Sequence, residues 1–538
     1  MRTHILLSLL SVALLSSGWI GLTGLPLLGA LVPLLWISGE ADRSRRAFWG
    51  TAGWVALTFG LWSAITTWWI WHAAPIGAIL SVIITALLMG GAFMLYHFVS
   101  KRTPAVLARV LLVSAWIAAE YLYTVGEVSF PWLTLGNGFA NDPAFVQWYE
   151  FTGVFGGSLW ALVCNLLIYS ALKKPCGLRK WLAPVLAVGI PAVVSSAMYL
   201  VQGSKLQDGS ASVQVSVVQP NIDPYGAKFA VTQAEQTGLM LRLARLAPQG
   251  VDYIVLPETA IDDHLWEEYM AQAPAVTMFR ETARTHYPET QFIVGATTFR
   301  RYHSPAASSP TARQSKGSDF WYDVYNSAFS VDTTGHVQIH HKSKLVVGVE
   351  KMPYYSVLRH LEFLIVDLGG IAGQLGQDSV RRVFHHPVSG VRSGTGICFE
   401  SVYGAYLSEF VQNGAQILFI ITNDGWWEKT MGHRNHFSFA RLRAIEMRRS
   451  IARSANTGIS GFINLRGNVI EKLAWQERGT ITCTLTLNDR ITFYARYGDY
   501  IGRLACYLFL LCLLFALSCF SRFRAVVPFA LSRLRAFL

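Results

Sequence analysis

Val391-Arg392-Ser393-Gly394-Thr395-Gly396-Ile397-Cys398-Phe399-Glu400 is a strand of small and β-branched residues that runs into a thiol and then a turn or helix. Downstream, Ala415-Gln416-Ile417-Leu418-Phe419-Ile420-Ile421 reads as a buried strand and 436–449 as a helix. Upstream, Val213-Gln214-Val215-Ser216-Val217-Val218-Gln219 alternates as a strand, and Tyr253–Leu256 and Gln291–Gly295 are short apolar strands. Residues 232–247 have helical character. Strands alternating with helices predict a layered α/β sandwich over residues 205–495. Segment 303–317, rich in Ser, Pro and Ala, reads as a surface loop. No repeat of 20–50 residues is visible.

The rest of the chain is of another kind. The sequence has 538 residues, of which 52% are hydrophobic and 14% charged. Soluble domains carry about 25% charged residues, so a wholly soluble or a disordered chain is excluded. About 20 apolar residues make one membrane-crossing helix. Eight such spans are expected, at roughly 6–20, 22–38, 48–70, 76–98, 104–125, 152–171, 181–201 and 499–520. The first resembles a signal peptide, but it lacks a clear cleavage site and is read as uncleaved. These spans divide the chain into a membrane part (1–204), a soluble part (205–495) and a last span with a basic tail (496–538).

Basic residues orient the spans. Arg2, Arg43, Arg45, Arg46, Lys101, Arg102, Arg109, Lys173, Lys174, Arg179 and Lys180 fall on one set of ends. Arg522, Arg524, Arg533 and Arg535 follow the eighth span on the same side. The alternate loops 18–24, 71–76 and 126–150 have none. The positive-inside rule then puts both termini in the cytoplasm and residues 205–495 on the far side. Topology thus accounts for much of the net charge of +12, and no nucleic-acid partner is expected.

Seven cysteines include no C-x-x-C pair, which argues against a zinc ribbon or a disulfide scaffold. Cys398, at a strand end, fits either a buried structural cysteine or a nucleophile beside backbone N–H groups. Glu258, after Leu256-Pro257, fits a solvated turn or a general base. Lys342, in His340-His341-Lys342-Ser343-Lys344, fits a basic patch or an oxyanion-stabilising group. His433 and His436 are too few for a metal site. Glu120 is open between an interface residue and a site residue. Segment 354–376 reads as a core helix with a loop, or as an apolar, glycine-hinged lid.

Three contexts, Leu-Pro-Glu258-Thr, His-Lys342-Ser-Lys-Leu-Val and Gly-Ile-Cys398-Phe-Glu400, stand in that order. This resembles the carbon–nitrogen hydrolase (nitrilase) superfamily with its Glu-Lys-Cys triad, and so does the stretch from Thr422-Asn423-Asp424-Gly425-Trp426-Trp427 to Ala455-Asn456-Thr457-Gly458. The eight-span frame, Phe130–Asn137 and Val218-Gln219-Pro220-Asn221-Ile222 are similar to the apolipoprotein N-acyltransferase family.

The resemblance implies a helical membrane bundle carrying an αββα sandwich in the inner membrane of a bacterium, with the sandwich in the periplasm. It implies an acyl transfer in two steps. Cys398 takes an acyl chain from a phospholipid as a thioester. The α-amino group of a lipoprotein's diacylglyceryl-cysteine then takes it over, giving the triacylated form. Glu258 acts as base. Lys342 and the Phe399 backbone N–H hold the oxyanion, and Glu350 and Glu400 orient Lys342 or Cys398. Trp426, Trp427, Tyr354, Tyr355 and Phe229 are expected to contact lipid. No cofactor or metal is expected. The partners are a phospholipid, diacylated apolipoproteins and the bilayer. The chain departs from the family at Val347-Gly348-Val349, where Pro-Phe-Gly is common, at Phe399 for Tyr, and at Phe229, near a usual Trp. The rival readings are a membrane-anchored amidohydrolase acting on a small amide and a transporter or receptor with an outer binding domain, whose spans would carry buried charges that are almost absent here.

Overall fold

The computed structural model describes residues 1–175, 177–205, 211–226, 230–304, 309–315, 317, 319–354 and 374–519. Phe229, Tyr355, most of the 354–376 segment and the basic tail after the last span lie outside the described residues.

The N-terminal part is helical: α1 (Arg2–Ser16), α2 (Val32–Glu40), α3 (Arg45–Thr67), α4 (Pro75–Ser100), α5 (Ala105–Val125), α6 (Tyr149–Lys173) and α7 (Leu182–Lys205). Among the described residues five helices are long and apolar enough to cross a membrane: Pro75–Ser100, Ala105–Val125, Tyr149–Lys173, Leu178–Gln202 and Tyr500–Cys519. The other three expected spans differ in form. Span 6–20 is the 15-residue α1, about 22 Å long, followed by one 3₁₀ turn at Ser17–Trp19. Span 22–38 is broken into a 3₁₀ turn, Leu25–Leu28, and the nine-residue α2. Pro26 and Pro33 each sit in the first turn of their own piece, where the missing N–H is harmless; a single helix would have put Pro33 in its interior. Span 48–70 is α3, 23 residues, whose buried face includes Thr51, Thr58, Ser63, Thr66 and Thr67.

Beyond α7 the strands and helices alternate as expected. One sheet has the order β14-β1-β2-β4-β6-β5, with β3 beside β4 and β7 beside β6. Its strands are β1 (Ser212–Gln219), β2 (Tyr253–Val255), β3 (Ile261–Trp266), β4 (Gln291–Tyr302), β5 (Arg313–Gln314), β6 (Trp321–Val331), β7 (Gln338–His341) and β14 (Gly479–Thr486). The other has the order β13-β12-β11-β10-β9-β8. It is built from β8 (Val383–His385), β9 (Arg392–Ile397), β10 (Ile417–Thr422), β11 (Ile451–Ala455), β12 (Gly461–Ile463) and β13 (Val469–Lys472). β1, β2 and β4 run parallel, as do β9, β10 and β11.

The sheets face each other through β1, β2 and β6 against β11 and β9. Helices α8 (Gln233–Ala244) and α9 (Pro274–His286) cover the first sheet, and α10 (Gly404–Gln412) and α11 (Met431–Met447) the second. Side-chain alternation enforces this layering. Val215, Val217, Tyr253, Val255 and Ile293 point between the sheets. Val218, Ile254, Leu256, Phe292 and Val294, one residue out of phase, pack under α8 and α9. Segment 303–317 is less plain than expected, because Arg313–Gln314 adds a short strand to the edge beside β6.

The helical part holds the sandwich closely. α6 packs on α11 and on the short α12 (Phe493–Tyr497), which leads into α13 (Tyr500–Cys519). Arg448 Nε pairs with Glu150 of α6, and Arg448 Nη1 donates to Gln147 Oε1 at 2.6 Å. The loop between α5 and α6 reaches furthest: Trp132 stacks on Phe399 with ring centroids 6.0 Å apart.

Candidate active site

The parallel strands bring their C-terminal ends to one edge of the sandwich, where an α/β sheet opens to a cleft. Glu258 follows β2, Cys398 follows β9 and Asn423 follows β10. Lys342 follows β7, and its backbone N–H donates to Asn326 O at 2.7 Å. Close approach has one strict requirement here. A Cβ on Gly295 of β4 would meet Pro257 O at 2.4 Å and Glu258 Cα at 2.6 Å, so only glycine lets β4 run under the Glu258 turn.

Glu258, Lys342 and Cys398 line one cavity of about 160 Å³. Lys342 Nζ donates to Glu258 Oε1 at 2.9 Å and to Glu350 Oε1 at 2.8 Å. Asn326 Nδ2 spans the same two carboxylates, at 2.7 and 3.1 Å. The Asn423 backbone N–H holds Glu258 Oε2 at 3.0 Å, and the Val346 N–H holds Glu350 Oε2 at 2.8 Å. Both carboxylates are therefore fixed at both oxygens.

The charges set the protonation states. Burial disfavours the Lys342 ammonium, but the carboxylates of Glu258 and Glu350 outweigh it and hold Lys342 well above the usual lysine range. Burial, with the Glu258 carboxylate, pushes the Cys398 thiol well above its ordinary value, and Lys342 offsets only part of this. A thiol shifted in that direction becomes a nucleophile only with a base at hand.

Glu400 reaches neither Lys342 Nζ nor the Cys398 sulfur. It joins the backbones that carry them: its carboxylate accepts from Ser343 N at 2.7 Å and Ile397 N at 2.9 Å, and from Tyr406 Oη. Burial alone would raise its pKa, but the neighbouring His340, Tyr406 and Ile397 groups lower it. Phe399 is the second residue of the 3₁₀ turn Cys398–Val402, where the first N–H groups have no acceptor within the helix. Cys398 itself has a left-handed backbone, φ 49°.

A second cavity, of about 380 Å³, meets the first at Cys398. Its walls are largely apolar and come in greater part from the helical part, among them Trp69, Ile76, Leu80, Ile84, Phe130 and Trp132. Ala73, Val346, Val349, Cys398 and Trp427 line both cavities. Trp426 lines the cavity of the charged cluster and Tyr354 the second one.

Glu120 stands apart from Cys398. Its Oε1 accepts from Trp116 Nε1 at 2.9 Å and from the Leu135 N–H at 2.8 Å, bracing the loop that carries Trp132. Among the described residues no group of three or more His, Cys, Asp or Glu is placed to hold a metal.

Two members of the cluster have no role in the reading of the sequence. Asn326 lies in β6 among other polar residues, Asp323, Ser327 and Ser330, so its type alone does not single it out, although a buried amide must find partners. Asn423 lies in the Thr422–Trp427 stretch, but it acts through its backbone, which leaves no mark on residue type.

Comparison with known proteins gives the same two-part division. Residues 214–494 match the carbon-nitrogen hydrolase family, and residues 7–167 match the apolipoprotein N-acyltransferase N-terminal domain. The curated apolipoprotein N-acyltransferase of Chlorobaculum tepidum is 30% identical over 485 residues, 87% of each chain. That of Thermotoga maritima is 26% identical over 76% of this chain and 71% of its own. That of Geobacter metallireducens is 24% identical over 87% of each.

Proposed function

The chain belongs to the apolipoprotein N-acyltransferase family, membrane enzymes that act on lipid and lipoprotein, and from that premise we propose that Cys398 carries the acyl chain between two substrates. The observation that supports this best is the position of Cys398 at the junction of the cavity that holds Glu258, Lys342 and Glu350 and a more apolar one walled largely by membrane helices. A water-fed amidase acting on a small amide has no use for the second cavity.

In the first half-reaction the acyl chain of a phospholipid lies in the apolar cavity with its ester at Cys398. Glu258 takes the thiol proton and the sulfur attacks the ester carbonyl. Negative charge gathers on the carbonyl oxygen, where the Lys342 ammonium and the Phe399 N–H receive it. The C–O bond breaks, Glu258 returns the proton to the departing alkoxide, and a lysophospholipid leaves. In the second half-reaction the α-amine of a diacylglyceryl-cysteine attacks the thioester. Glu258 takes the amine proton, the C–S bond breaks and the thiol is restored as the amide forms. Glu350 keeps Lys342 in place, and Glu400 keeps the two segments in register. Trp426, Trp427 and Tyr354 border the path of the lipids. Apolar walls keep water from the thioester.

The same reading gives the setting: eight spans, both termini cytoplasmic, and the sandwich on the periplasmic side of a bacterial inner membrane. Positive charge on one set of loop ends supports it.

Intact mass of the full chain tests the chemistry. Incubation with a phospholipid adds one acyl chain, and a synthetic diacylated lipopeptide removes it as the peptide becomes triacylated. Cys398→Ala gives no adduct while still inserting in the membrane. Release of free fatty acid with peptide present would return the amidohydrolase reading.

A further inference from the structure

The left-handed backbone of Cys398 (φ 49°) is one that residues with a side chain adopt only when their surroundings impose it. The surroundings act on its carbonyl. Ser401 Oγ donates to Cys398 O at 2.7 Å, and His436 Nε2 lies 3.1 Å from the same oxygen. Behind the ring, Nδ1 stands 2.9 Å from Asp424 Oδ1 and 3.0 Å from Arg453 Nη2. Asp424 is anchored by Thr422 Oγ1 at 2.9 Å and by Arg453 Nη2 at 2.7 Å. Ser401, His436, Asp424 and Arg453 are all 1% exposed or less. Trp132 and Trp427 stand edge-on to the imidazole at 5.7 and 5.4 Å.

A carbonyl oxygen only accepts hydrogen bonds, so the 3.1 Å contact is a bond when the ring proton is on Nε2. Ser401, His436 and Asp424 have the contacts of a hydrolase triad, with Ser401 Oγ 2.9 Å from His436 Nε2. Ser401 nevertheless lines neither cavity and its hydroxyl is spent on the Cys398 carbonyl. The constellation therefore serves the cysteine and is not a second nucleophile.

We propose that His436 is a positioning residue for the nucleophile. With the proton on Nε2, its Nδ1 accepts from Arg453 Nη2, which Asp424 holds in place, and it clamps the Cys398 carbonyl together with Ser401. The clamp fixes the turn that presents the sulfur at the junction of the two cavities and leaves the Phe399 N–H free for the oxyanion. The proposal rests on Cys398 being the acyl carrier.

The test uses the full-length enzyme in lipid nanodiscs, a phosphatidylethanolamine as donor and a diacylated lipopeptide as acceptor. His436→Leu removes the donor. His436→Gln restores an N–H near the place of Nε2. The expected result is a loss of about 100-fold in the rate of thioester formation for His436→Leu, the scale of one lost oxyanion donor. The KM for phospholipid stays near the wild-type value, and His436→Gln recovers most of the rate. Equal rates for His436→Leu and wild type overturn the proposal, as does an equal loss in both variants. If His436→Leu does not fold, Ser401→Ala takes its place, because it deletes one hydroxyl from the same carbonyl. A lowered acylation rate at unchanged KM then supports the clamp, and an unchanged rate overturns it. Failure of the underlying reading is distinguishable: an active Cys398→Ala enzyme removes the acyl carrier itself, whatever the His436 variants do.

Discussion

Glu258 does two things at once at the scale of the residue. It balances the Lys342 ammonium and, in the proposed mechanism, takes the thiol proton. These demands conflict in water, where a carboxylate beside an ammonium gains little. They are compatible here because Asn326, Asn423 and Lys342 fix both oxygens in a buried site. Glu258→Gln keeps the shape and loses the base. It is expected to slow both half-reactions by about 10²–10⁴-fold, read as thioester formation and as peptide acylation in single-turnover assays. Unchanged acylation by phospholipid in that variant would confine Glu258 to the second step. The order Glu258, Lys342, Cys398 was legible in the sequence as a family resemblance, but Asn326 was not. An asparagine in a strand carries no sign of which two carboxylates it will span.

At the scale of the element, the site depends on strand ends arriving together. β4 must slide beneath the Pro257-Glu258 turn, and Gly295 is the residue that permits it. Gly295→Ala is expected to displace that turn. The Cβ would otherwise stand 2.4 Å from a backbone oxygen, which cannot rotate away as a side chain can. Acylation activity should fall at least tenfold while the sandwich still folds, read by comparing the rate with the melting temperature. Helix and strand positions were legible because each has its own side-chain period. The broken second span was not read from hydropathy, which scores Pro26 and Pro33 by polarity and not by the helix position they occupy.

At the scale of the whole molecule, the two parts share one interior. Glu150 of α6 accepts from Arg448 and Arg490 of the sandwich, the latter at 3.0 Å. Arg448 is buried, so removing its partner leaves a desolvated charge. Glu150→Gln is expected to destabilise the protein by about 3 kcal/mol, seen as a lower melting temperature in detergent with little change in the activity of the folded fraction. An unchanged melting temperature would mean that Gln147 and the Leu465 carbonyl suffice for Arg448. The sequence by itself determined the membrane character, the alternation of strands and helices after residue 205, and three chemically able residues in a telling order. Each of these is written in local hydropathy, local period or residue type. Only the tertiary structure decided that Lys342 lies between two carboxylates, that His436 faces the Cys398 carbonyl, and that Cys398 stands where the cavity of the charged cluster meets a more apolar one. Those contacts join residues distant in the chain, and their partners are chosen by packing, which no stretch of sequence contains.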